Sequence, residues 1–312
     1  MKLDILAIGA HPDDVELSCA GVLAKEHSRG KKTGVLDLTR GELGTRGSAE
    51  IRDQEAADAA KILGLSVREN IALADGFFEN NKESQLRIIE IIRKYKPEIV
   101  LCNAIDDRHI DHGRGSKLTS DACFLSGLKK IETTLDGKAQ EAWRPKNVYH
   151  YIQWKNLQPD VVVDISGFID TKMEAVMAYK SQFYDPSKGE DNTPISSKNF
   201  QESIKYRARD LGRLIGTEYA EGFTVERYPD LKANENFKEL INELERTENR
   251  INVERNRYND AIRPYNKHIK TFPNNIVNNF IGNFEELTYF ESNDGAENAS
   301  EVNFDDLNNN EG

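Results

Sequence analysis

The chain opens on an almost unbroken apolar run, Leu3, Ile5, Leu6, Ala7 and Ile8, and turns abruptly polar at His11-Pro12-Asp13-Asp14. Apolar residues without polar alternation predict a strand covered on both faces, as in a parallel sheet. From Asp14 to about Arg29, Val15, Cys19, Val22 and Leu23 recur at helical spacing and Gly30 supplies a stop, which predicts a helix. The rhythm then repeats. A strand is expected at 33–38, and a helix at about 49–63 that buries Ile51, Ala56, Ala59, Ala60 and Leu63 and ends at Gly64. A third strand follows at 67–73, a turn at Asp75-Gly76, a helix marked by Leu86, Ile89 and Ile92 and stopped near Lys96-Pro97, and a fourth strand at 98–103. Later strands are expected at 147–153 and 161–165, with helices at 167–182 and 200–215.

Alternating strands and helices call for right-handed crossovers and an α/β fold: a Rossmann-like open, mostly parallel sheet with helices on both faces. In a doubly wound order the first and fourth strands are neighbours where the winding reverses, and ligands bind at their carboxyl ends. That geometry would bring the loop of His11 beside the loop 104–112, which ends in His109-Ile110-Asp111-His112. The segment 39–48, TRGELGTRGS, is too polar and glycine-rich for an element and should form a loop on the same edge.

The two His-Asp clusters suggest metal chemistry. Imidazole and carboxylate are ordinary zinc ligands, and a catalytic zinc keeps three protein ligands and one open position. His11, Asp14 and His112 are the candidate ligands for Zn2+, with Fe2+ or another divalent ion as alternatives. Asp13, beside a ligand, is the candidate general base for a water attacking a carbonyl, His109 the candidate oxyanion donor, and Asp111 the group that orients or charges His109. Taken singly, His-Pro-Asp-Asp also reads as a helix N-terminus with capping carboxylates, and His109-x-Asp-His112 as a solvated turn. Their conjunction after parallel strands favours the metal site.

A chain of 312 residues allows one large domain or two ordinary ones. Its net charge of -11 argues against nucleic acid or an anionic membrane surface as partner. Neither a signal peptide nor an apolar run long enough to span a bilayer is evident, and three cysteines without metal-like spacing suit a reduced, cytoplasmic protein. His27, His150 and His268 read as structural or solvent-facing.

HPDDVE after the first strand, DLTRGELGTRGSAEIRDQEA around the second, and DRHIDH after the fourth resemble the PIG-L (LmbE-like) zinc deacetylases, over residues 2–228. Within that family the similarity is greatest to the bacillithiol-pathway enzymes that deacetylate N-acetylglucosaminyl malate. The resemblance implies the same ligands, base and oxyanion pair, a small-molecule sugar conjugate as substrate, and a homo-oligomer. It also implies that Glu42 and Arg52 contact the sugar or its aglycone, with Arg108 a second candidate for holding a malate carboxylate. A different N-acetylglucosamine conjugate, such as a glycolipid, is the alternative substrate.

Beyond Tyr228-Pro229 the composition changes. Phe237, Leu244, Ile251, Tyr258 and Tyr265 recur every seven residues, with Leu240, Ile241, Ala261, Ile262 and Ile269 beside them, which predicts an amphipathic helix in need of a partner and interrupted at Pro264. This stretch resembles the C-terminal part of LemA-type proteins. The expected division is therefore a deacetylase domain at 1–229, a LemA-like helical segment at 230–292 and a disordered acidic tail at 293–312. The competing reading is an interaction protein acting through this helix.

Overall fold

In β1 (Ile5–Gly9) every residue is buried, because successive side chains enter two different apolar layers. Leu6 and Ile8 face Leu36, Leu38, Ile88, Ile92 and Leu118, while Ile5 and Ala7 face Val15, Leu23 and Val35. A strand covered on both faces has no use for polar alternation, which accounts for the opening run. The computed structural model describes residues 1–184, 193–226, 248–271, 274, 282 and 284–288. It divides into two units, Met1–Asn252 and Val253–Gly312.

In the first unit, β1 leads into α1 (Asp14–Ser28), β2 (Thr33–Thr39), α2 (Ala49–Ile62), β3 (Val67–Leu73), α3 (Lys82–Tyr95), β4 (Ile99–Cys102) and α4 (Ile110–Ser126). A small hairpin of β5 (Thr134–Leu135) and β6 (Lys138–Ala139) precedes β7 (Asn147–Tyr151), β8 (Val161–Asp164), α5 (Ile169–Met177), α6 (Lys198–Ile215) and β9 (Ala220–Val225). The main sheet has the order β3-β2-β1-β4-β7-β9-β8. Strands β3 to β7 pair in parallel, and β1 lies between β2 and β4 as expected of a doubly wound sheet. Leu118 and Ile88 place α4 and α3 on one face; Val15 and Ala208 place α1 and α6 on the other.

Several expectations are revised. β9 was not foreseen. It runs antiparallel to both β7 and β8 and makes the sheet mixed at that end. Its sequence, AEGFTV, puts a charged residue and a glycine in a buried strand, so it lacks the apolar run that marked the others. The helix expected at 167–182 is a short 3-10 turn, Ser166–Phe168, followed by the nine-residue α5. His109-Ile110-Asp111-His112 is not a loop: His109 is the N-cap of α4, and Asp111 and His112 sit in its first turn.

Side-chain caps fix three further helices. Ser48, Asn81 and Ser197 accept the amides of Ile51, Ser84 and Phe200, each cap contributing about 1 kcal/mol.

The described part of the C-terminal region holds α7 (Glu248–Lys270), whose helical span runs through Pro264 instead of stopping there. The Asn266 amide pairs with the backbone of Leu287, donating from Nδ2 to its carbonyl at 2.7 Å and accepting its amide at 3.0 Å. Phe237, Leu240, Ile241 and Leu244 of the expected heptad stripe, and the tail at 293–312, lie outside the described residues.

Candidate active site

The sheet order delivers the two clusters to one place. His11 and Asp13 follow β1, His109 caps α4 after β4, and these strands are direct neighbours. The ring centroids of His11 and His109 are 4.7 Å apart, those of His109 and His112 5.1 Å, and those of His11 and His112 5.7 Å. Asp14 lies between two of them. Its Oδ1 is 3.1 Å from His112 Nε2, and its Oδ2 is 3.5 Å from His11 Nδ1.

The remaining atoms of these three side chains are committed elsewhere. The His112 Nδ1–H donates to Asp107 at 2.6 Å, which turns Nε2 toward Asp14. His11 Nε2 meets Asp75 at 3.1 Å and Asp111 at 3.2 Å, which turns Nδ1 the same way. Asp14 accepts from Gln153 Nε2 at 2.6 Å, Asn103 Nδ2 at 3.0 Å and the His11 backbone amide at 3.0 Å. Imidazoles backed by carboxylates, converging on a third carboxylate, are the arrangement in which histidine ligates metal. A tetrahedral ion with bonds of about 2.0–2.1 Å spaces its ligand atoms about 3.3 Å apart. The two separations at Asp14 are close to that value, each to a different oxygen of its carboxylate.

Electrostatics supports the same fit. Burial works against a charged His11, but Asp111, Asp14 and Asp75 outweigh it and raise its pKa well above the usual range. His112 is likewise disfavoured by burial and then pushed up to about 9 by Asp14 and Asp107. Asp14 is held well below the ordinary carboxylate range, since the two imidazoles overcome its burial. The carboxylates thus keep protons on both imidazoles, and a divalent cation is the natural replacement for those protons. His11, Asp14 and His112 therefore fit a divalent metal. Among the described residues, the groups whose ligand atoms all lie within 4.8 Å of one another are His11 with His109 and His112, and His11 with Asp75 and Asp111. The set containing Asp14 is favoured because both imidazoles turn a nitrogen toward it while their other nitrogens are tied to carboxylates.

Asp13 adopts φ 115°, a left-handed conformation rare for aspartate and characteristic of strain held at functional positions. It is buried, and burial is the main cause of a pKa pushed up to about 7; the Arg52 guanidinium, 3.0 Å away, works in the opposite direction. Arg52 is itself buried and also donates to the carbonyls of Pro12 and Gly41. Gly41 permits this: a Cβ there would lie 2.1 Å from Arg52 Nη1. Arg52 thus supports Asp13 as well as lining the cavity.

His109 Nδ1 accepts the Asp111 amide at 3.3 Å, which assigns the proton to Nε2. Burial, reinforced by His11 and His112, lowers its pKa, so it is a neutral N–H donor at neutral pH. The Asp111 carboxylate does not contact His109 as expected. Placed in the first turn of α4, it turns away to His11, the Gly76 amide and Arg114.

The other expected contacts divide. Arg108 lies over the Trp154 ring at 4.7 Å and lines the cavity. Glu42 accepts the amides of Asp75 and Arg40, fixing the glycine-rich loop. Asp75, Asp107, Asn103 and Gln153 were missed in the sequence. Each lies at or just beyond the carboxyl end of a strand or in the loop after it, and that position was the available signal.

Comparison with known proteins gives two family matches. The profile of a family described as GlcNAc-PI de-N-acetylase (PIG-L) matches residues 6–123, and that of the LemA family matches residues 162–304. The chain is 26% identical over 230 residues to a diacetylchitobiose deacetylase of Thermococcus kodakarensis, covering 70% of this chain and 81% of the relative. It is 26% identical over 225 residues to a probable N-acetyl-alpha-D-glucosaminyl L-malate deacetylase 2 of Bacillus subtilis, covering 65% and 96%. Among solved structures, the conserved protein TT1542 from Thermus thermophilus superposes with a TM-score of 0.63 at 37% identity, covering 74% of this chain and all of the other. The LemA match overlaps α5, α6 and β9, which here belong to the α/β unit.

Proposed function

The chain belongs to the GlcNAc-PI de-N-acetylase (PIG-L) family and is an N-deacetylase, and from that premise we propose that it removes the N-acetyl group of N-acetylglucosaminyl malate. The ion would be zinc, held by His11, Asp14 and His112. When bound, it supplies Lewis acidity and lowers the pKa of a water to about 7.

The protein's own groups supply the rest. Asp13, with a pKa pushed up to about 7 and Arg52 beside it, is suited to take a proton from the attacking water and return it to the departing amine. The neutral His109 offers its Nε2–H to the oxyanion that develops on the carbonyl oxygen. Asp75, Asp107 and Asp111 hold the imidazoles in the orientation this requires. Arg108, on the cavity wall, is the candidate for a malate carboxylate.

The observation that supports this reading most is the convergence of His11 Nδ1 and His112 Nε2 on Asp14 in the same cavity as Asp13. The test is acetate release from N-acetylglucosaminyl malate by the purified chain and by His112→Ala, with metal content measured on both. Activity with about one metal per chain in the parent, and loss of both in the variant, is the expected result. A parent that binds metal and leaves this substrate intact would retain the site and reject the malate conjugate.

A further inference from the structure

The site opens into a cavity of about 530 Å³, within the usual range for small-molecule sites. Strand order divides it. The loops after β2 and β3 lie to one side of β1, whereas β7 and β9 lie on the far side of β4. On the β2–β3 side the wall carries the charged groups Arg52 and Asp75, beside the exposed Leu43 and Phe77. On the other side, between α1, α6 and β9, it is hydrocarbon: Leu17, Ile152, Ile195, Ile204, Ala208 and Leu211. Trp154 extends this surface, its ring stacked on Phe200 at 5.5 Å.

The polar groups within that apolar arm are mostly already used. Ser203 donates to the Phe200 carbonyl at 2.6 Å and Arg207 to the Trp154 carbonyl at 2.7 Å. Lys172 is bound to Glu221 at 2.5 Å, and Glu221 also accepts the amides of Gly21 and Val22. The buried Ser18 hydroxyl is the exception, lacking a partner. An acetyl methyl would cover little of this surface.

Amide hydrolysis separates the substrate at the carbonyl carbon. The hydroxyl-rich amine half, too polar to lie against hydrocarbon, belongs toward solvent with the exposed Arg108 on the cavity wall, which leaves the acyl half to point into the arm. We propose that the enzyme accepts N-acyl groups longer than acetyl, as a hydrolase of medium-chain fatty amides of an amino sugar, with the chain lying between α1, α6 and β9. The proposal rests on the hydrolase reading above. Water adds to the acyl carbon, the C–N bond breaks, the nitrogen leaves as the protonated amine, and the fatty acid departs as its carboxylate.

The experiment compares N-acetyl, N-butyryl, N-hexanoyl and N-octanoyl glucosaminyl malate, following the freed primary amine. Each buried methylene is worth up to about fourfold in kcat/KM, so the hexanoyl substrate is expected to exceed the acetyl one by at least tenfold. Ala208→Phe, which fills the arm, is expected to reduce that ratio at least tenfold. Octanoate is expected to inhibit the parent more strongly than acetate, a comparison that needs no variant. Cleavage of the acetyl substrate with rates falling at every added methylene would overturn the proposal and leave the deacetylase intact. No amine from any member would overturn both.

Discussion

In the proposed mechanism Asp13 is the residue on which the chemistry turns; its backbone strain, burial and pairing with Arg52 suit a group kept for a reaction rather than for stability. Asp13→Asn is expected to lower kcat by about 10²–10⁴-fold with metal content unchanged, measured by amine release and metal analysis on one preparation. A variant that loses its metal would instead place Asp13 among the ligands. Asp107 acts one step back. It receives the His112 Nδ1 proton, so Asp107→Ala is expected to weaken metal affinity about 10–100-fold in a chelator competition titration. Neither Asp107 nor Asp75 announced itself in the sequence, because an aspartate at a strand's end also reads as a turn residue, and only its partner tells the two apart.

Elements are held to each other by buried polar ties as well as by apolar packing. α1 departs from helical geometry at Cys19, and Glu221 of β9 accepts the Gly21 and Val22 amides just beyond it while pairing with Lys172 of α5. Both charged side chains are almost wholly buried. Glu221→Gln leaves Lys172 without its counter-charge, for an expected loss of about 3–5 kcal/mol in denaturant unfolding, and Lys172→Met in the same chain should recover most of it.

A second tie joins β4, β7 and α4. His150 Nδ1 lies 2.8 Å from Ser116 Oγ and 3.3 Å from Cys102 Sγ, and Nε2 lies 2.7 Å from Glu226. Burial opposes the charged imidazole, yet Cys102 and Glu226 raise its pKa to about 10 from an ordinary 6.5. A proton held more tightly in the folded chain stabilises it below pH 6.5, and that contribution is lost as pH rises through about 10. The gap in Tm between the parent and His150→Gln is therefore expected to narrow between pH 7 and 10. A constant gap would mean that the imidazole is neutral in the fold.

Every candidate catalytic and ligand residue belongs to the unit Met1–Asn252. We propose that this unit, corresponding closely to the expected domain at 1–229, is the whole of the enzyme. A chain ending at Asn252 is expected to retain its metal content and to keep kcat/KM within about threefold of the parent, read in the same amine-release assay. Loss of activity with the metal retained would assign the C-terminal residues a part in substrate binding. Among the described residues no helix is long and apolar enough to cross a membrane.

The sequence by itself determined the parallel half of the sheet and the candidate ligand set. Doubly covered strands need continuous apolar runs, and a doubly wound order, once assumed, sets β1 against β4 and so brings His11 beside the cluster of His112, a meeting that the spacing alone did not require. It did not determine β9, whose glutamate is buried with partners from α1 and α5 and whose glycine packs under Leu211 of α6. Nor could it show that Asp111 serves His11 instead of His109, or that Arg52 is committed to Asp13. Those are choices of partner, made by side chains distant in sequence once burial has removed water as the alternative. Tertiary structure decided them because a buried polar group binds whichever complementary group the fold brings within reach.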